Sequence, residues 1–143
     1  MMLTFTTLSQ WDVGYYVDDN EIETGDIFLY QEVVGTFSKS SKKDKVCGYF
    51  IEHDPSDKIF SITIYPFNKQ KEEVWKYDTF QWGIIKSPSG KLVPIEAFCF
   101  DGMIYFDGIE YDQFMNATKQ YGTYALIMNH TIDKTNYEFT FNK

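Results

Sequence analysis

The chain has 143 residues, room for one domain, with 43% apolar and 19% aromatic side chains, enough for a core and far from a disordered composition. Its net charge is −8, and all 13 basic residues are lysine. Without arginine the bidentate fork for phosphate, guanine and carboxylate is missing, and the negative balance argues against direct nucleic-acid binding. No apolar run is long enough for a membrane helix, and MMLTFTTLSQ carries no basic cluster ahead of an apolar core. A cytoplasmic protein of one domain, residues 1–143, is therefore expected.

The first third is the most unbalanced. Residues 1–32 hold Asp12, Asp18, Asp19, Glu21, Glu23, Asp26 and Glu32 and not one lysine. The densest part, DDNEIETGD at 18–26, has two readings. It is either a solvated loop, or an anionic face for a basic partner protein, where complementary potential speeds and orients encounter. On the second reading Asp18, Asp19, Glu21, Glu23 and Asp26 form the partner-binding patch.

Further on, period-2 alternation dominates. DIFLYQEVVGTF is apolar on both faces and reads as a covered strand, while SKSSKKDK (38–45) reads as a loop at a hairpin tip. KVCGYFIEH aligns Cys47, Tyr49 and Ile51, and KIFSITIYPF aligns Phe60, Ile62 and Ile64. NKQKEE (68–73) is a second linker by composition. EEVWKYDTFQWGII and KLVPIEAFCF read as two strands joined by the KSPSG turn.

FDGMIYFDGIEYD, residues 100–112, nearly repeats itself and gathers four acids beside two glycines. A calcium loop needs oxygen ligands at alternate positions, and Met103, Ile104, Tyr105 and Phe106 occupy that space instead. Asp101-Gly102 is a two-residue hairpin signal, MIYF the returning strand, and Asp107-Gly108 a second bend. A helix follows near 112–121, with Asp112 as its N-cap, Gly122 just past its end, and Tyr111, Phe114, Met115 and Thr118 as its inward stripe. In NYEFTFN, Tyr137, Phe139 and Phe141 share one face against Glu138 and Thr140. The expected fold is α+β: an antiparallel sheet of about seven to nine short strands, curled or closing as a partial barrel, with one short helix.

Chemistry-bearing motifs are scarce. There is no phosphate-cradling loop, no dinucleotide fingerprint and no nucleophile elbow. His53, in the cluster Glu52-His53-Asp54, and His130 both fall at strand ends. Neither has a spacing that recommends a dyad with Cys47 or Cys99, which read as buried reduced thiols. No catalytic residue, metal or cofactor is assigned. An enzyme with carboxylates and a histidine converging in space remains one alternative. A small-ligand or glycan module using exposed Trp11, Trp75 and Trp82 is another. The leading expectation is a non-enzymatic, acidic interaction protein that binds, and inhibits or regulates, a basic nucleic-acid-binding protein. A phage or mobile-element inhibitor of a host defence protein, mimicking the charge of DNA, fits that size and charge.

Overall fold

A computed structural model describes residues 11–39, 42–54, 56–66, 79–100, 102–130 and 135–143. Nine strands run in chain order: β1 Asp12–Val17, β2 Glu23–Lys39, β3 Lys42–Glu52, β4 Ile59–Pro66, β5 Thr79–Lys86, β6 Leu92–Phe100, β7 Met103–Asp107, β8 Thr123–His130 and β9 Thr135–Asn142. The helix α1, Ile109–Ala117, lies between β7 and β8. All strand pairs are antiparallel, in the order β1-β2-β3-β4-β7-β6-β5-β8-β9. A further pairing of β2 with β9, from Gly35↔Phe139 to Lys39↔Thr135, closes eight of these strands into a barrel. The expected mainly antiparallel α+β fold is thus what forms, and its sheet closes fully.

Closure follows from the alternation. An eight-stranded barrel has an interior just wide enough for side chains to fill, so one face of every strand must be apolar. Phe50, Phe60, Ile62, Ile85, Ile95, Ile104, Tyr137 and Phe139 fill it and are essentially inaccessible to water. Each such side chain contributes about 1.5–3 kcal/mol by leaving water. On β3 the inward set is Val46, Gly48 and Phe50, not the aligned trio Cys47, Tyr49 and Ile51. Gly48 hides that face in the sequence, because the ring of Phe139 fills the space its missing side chain leaves.

The helix closes one barrel end. Phe114 packs at 4.4 Å from Phe60 and 4.5 Å from Phe106, ring centre to ring centre. Tyr111, Phe114 and Thr118 are buried and Met115 is half-buried, so the inward stripe is the expected one. The start is not. The N-cap is Gly108, and Asp112 lies inside the first turn, its amide bonded to the Gly108 carbonyl at 3.0 Å. Glu110 and Asp112 there favour the helix electrostatically without capping it. At the other end Thr118, not Gly122, is the cap, its hydroxyl returning to the Phe114 carbonyl at 2.9 Å.

Two expected turns take their places. Gly102 follows β6 with φ +78°, and Gly90 closes the turn after β5 by donating to the Ser87 carbonyl. The long loop expected at 38–45 is mostly strand instead: β2 runs to Lys39 and β3 starts at Lys42, paired through Ser38↔Lys43. Cross-strand bonding continues there because β2 is paired on both sides, with β3 through Ser38↔Lys43 and with β9 through Ser38↔Asn136, and a ladder needs only backbone in register. The linker at 68–73 lies outside the described residues. Among the described residues no helix is long and apolar enough to cross a membrane.

Candidate functional site

The site follows from the length of β2. Its 17 residues outrun β3, whose last partner pair is Leu29↔Glu52. Among the described residues, β2 from Glu23 to Phe28 is paired with β1 alone, so the two strands and their turn form an arm beyond the barrel wall. At about 3.3 Å per residue, that overhang reaches roughly 20 Å.

The tip carries the acids. Asp18, Asp19, Glu21, Glu23 and Asp26 are all exposed, in the turn and at the start of β2. They do not share one role. The Asp18 carboxylate accepts the amides of Asn20 at 2.8 Å and Ile22 at 3.0 Å, which holds a turn in which Glu21 takes φ +61°. Asp18 therefore shapes the tip, and the carboxylates of the other four have no hydrogen-bond or ion-pair partner among the described residues. Sequence reading missed two further acids. Asp54 and Asp57, exposed in the β3–β4 turn, are close enough to raise the Tyr16 phenol after desolvation, together with Asp26. Nothing in their linear spacing links them to residues 18–26.

The arm has two unlike faces. Residues 27 and 29 continue the inward parity of Val33 and Phe37, and β1 adds Val13 and Tyr15 across from them. Beyond the barrel this inner face meets no core among the described residues: Val13, Tyr15, Val17 and Ile27 are 48–55% exposed. The outer face is an aromatic ladder. Tyr16 packs on Phe28 at 4.9 Å, Phe28 on Tyr30 at 5.9 Å, and Tyr30 stacks on Tyr49 at 5.2 Å. Gly14 makes room for it, since a Cβ there would lie 2.3 Å from the Phe28 ring.

His53 ties this face to the barrel. Its Nδ1 meets the Tyr16 hydroxyl and its Nε2 lies 3.1 Å from the hydroxyl of buried Ser61. Burial lowers the His53 pKa, opposed by the charge of Asp57. The ring is thus engaged at both nitrogens, with neither Cys47 nor a carboxylate as hydrogen-bond partner. Cys47 and Cys99 are free and buried, and burial pushes the Cys99 thiol up. The side chain of His130 lies outside the described residues. Among the described residues, no three His, Cys, Asp or Glu side chains group to hold a metal.

Trp11 and Trp82 sit in different parts of the fold. Trp11 is half-buried at the base of the arm, donating from Nε1 to the Asn142 carbonyl at 2.8 Å and meeting Phe60 edge-on. Trp82 projects from the barrel wall on β5, 55% exposed. Trp75 lies outside the described residues. An open groove of about 960 Å³ runs between the arm base and α1, lined by Trp11, Leu29, Glu52, Ile109, Met115 and Lys143 among others. The Lys143 ammonium is half-buried there, its pKa lowered by burial and supported by the charge of Glu52. No family model, curated protein or solved structure matches the chain.

Proposed function

We propose that this protein is a non-enzymatic interaction module whose arm binds a basic partner protein. One observation carries the reading: every carboxylate from residue 18 to 26 is exposed at the end of a projecting arm, in a stretch of chain without lysine. Charges spaced within about 8 Å act as one patch at physiological salt. Asp54 and Asp57 extend that negative field along the arm. A partner rich in lysine or arginine, such as a nucleic-acid-binding protein, complements it.

The test uses the absence of lysine from the arm. Carbodiimide coupling of carboxylates to lysines in extract of the native cell should join Asp19, Glu21, Glu23 or Asp26 to lysines of one protein, in a yield that falls steeply with salt. The variant Asp19→Lys, Glu21→Lys, Glu23→Lys should lose that product and keep its melting temperature, because exposed charges of this kind govern association rate more than folding. Asp18 is left intact, since it holds the turn. Recovery of the same product by the triple variant, at the same salt dependence, would remove the patch from the function.

The groove beside α1 favours a second reading, a small amphipathic ligand held against Trp11 with its anionic end at Lys143. Its volume is in the usual range for ligand sites. Quenching of Trp11 fluorescence by medium-chain fatty acids in wild type, and loss of that quenching in Lys143→Ala, is the expected signature. Equal quenching in both would sink it.

A further inference from the structure

We propose that the basic partner docks by strand addition, laying an extended segment with apolar side chains at alternate positions along the edge of β1 that no described strand pairs. This rests on the basic-partner reading above and adds how the partner is held. A closed barrel has no edges, so pairing with another chain needs backbone left outside the closure. Among the described residues β1 pairs only with β2, and its far side leaves alternate N–H and C=O groups without strand partners.

That edge lacks the usual protection. Exposed edges are commonly blunted by lysine, proline or a bulge. β1 has neither lysine nor proline, and its ladder with β2 is regular from Asp12 to Tyr15, the irregularity falling between Tyr15 and Val17. The arm's other open edge, β2 from 23 to 28, is less suited to pairing. Gly25 breaks it with φ +89°, and two acids flank that break. On β1, by contrast, half-exposed Val13, Tyr15 and Val17 would pack against alternate side chains of an added strand.

Charge decides the occupant. A second copy pairing antiparallel along β1 would set the acidic turn of each copy beside Asp12 of the other, and like charges facing across a ladder destabilise it. A segment alternating lysine or arginine with β-branched residues meets both demands. Its backbone completes the ladder, its apolar face covers Val13 and Tyr15, and its cations reach the tip carboxylates. In such strand addition the main-chain bonds provide affinity and the alternate side chains provide selectivity.

The probe is a synthetic octapeptide alternating lysine and valine, used free and with every second amide N-methylated, against the full chain. Saturating free peptide should slow hydrogen exchange of alternate amides within Asp12–Tyr15 at least about tenfold, since an amide gaining a ladder bond exchanges only on opening. The N-methylated peptide should give no such protection. The variant Val13→Lys, Tyr15→Lys should weaken binding about tenfold, by the loss of apolar contact and added repulsion. A free peptide that binds while the β1 amides exchange as before overturns strand addition and leaves the basic-partner reading standing. Protection of β1 that is equally strong in the Asp19→Lys, Glu21→Lys, Glu23→Lys variant overturns the basic character of the occupant, and with it the function proposed above. No binding of the free peptide at low salt overturns the proposal outright.

Discussion

One strand serves two different structures. From Gly35 onward, β2 lies between β3 and β9 and helps fill the barrel with Phe37. Before Leu29 the same strand, with the same inward parity, has only β1 beside it among the described residues and leaves Ile27 half-exposed. Ile27, Phe28, Leu29 and Tyr30 run apolar across that boundary, so the exposure of Ile27 comes from its neighbours. Burial in a sheet is a property of the closed arrangement, and a strand that outlasts its partner carries apolar surface into solvent. The barrel is a fold-bearing region, and the arm is a surface built by extending it.

The sharpest way to break that division is at Phe114. Phe114→Ala removes the ring that touches Phe60 and Phe106 at the capped barrel end. A cost of about 3–5 kcal/mol is expected, as for other buried aromatic truncations. Denaturant unfolding measures it directly. The arm makes no use of that ring, so at temperatures where the variant is folded the affinity for the lysine–valine octapeptide should match wild type. A loss of stability below about 1 kcal/mol would mean that the helix does not seal the barrel.

A change in the arm should behave in the opposite way. Gly14→Val places branched carbons where the Phe28 ring lies, so the ring must swing out of its contact with Tyr16. A local cost of about 1–2 kcal/mol is expected, typical of overpacking where the neighbour can move. Hydrogen exchange should speed up in residues 12–17 and 23–28 and stay unchanged in β4, β7 and β9. If exchange rises equally throughout, arm and barrel unfold as one unit and the contrast between them fails.

Much of the barrel could be read in advance. Tyr137, Phe139 and Phe141 alternate with exposed Glu138 and Thr140, as the period-2 pattern required. Asp101-Gly102 and the Tyr111, Phe114, Thr118 stripe were equally legible, because each is a local signal. Closure was not, since the Gly35↔Phe139 pairing joins residues about a hundred positions apart and leaves no local trace. The inner face of β3 was concealed by Gly48, which is apolar only through the Phe139 ring above it. At the site, the acid run at 18–26 stood out by composition. The overhang that makes it an arm depends on where β3 stops, and the approach of Asp54 and Asp57 on where β3 turns into β4. Both are relations between strands.

The smallest expected effect tests the seam between the two regions, where Tyr16 of the arm meets His53 of the barrel. Both ring nitrogens of neutral His53 meet a hydroxyl, Nδ1 that of Tyr16 and Nε2 that of Ser61, so in either tautomer one nitrogen accepts and a second proton would remove that acceptor. Burial lowers the His53 pKa below its ordinary value of 6.5. The unfolded chain therefore binds a proton more readily than the folded one in the interval below 6.5, so stability contributed by neutral His53 is complete above about 6.5 and declines as pH falls. Because the ring is only part-buried and Asp57 opposes the shift, the effect should be modest. The comparison is with His53→Gln, which keeps all 21 acidic side chains and removes only the imidazole. The stability difference between wild type and variant should grow in favour of wild type from pH 5 to pH 7. A difference that stays flat across that range would show that the histidine holds the arm by shape alone.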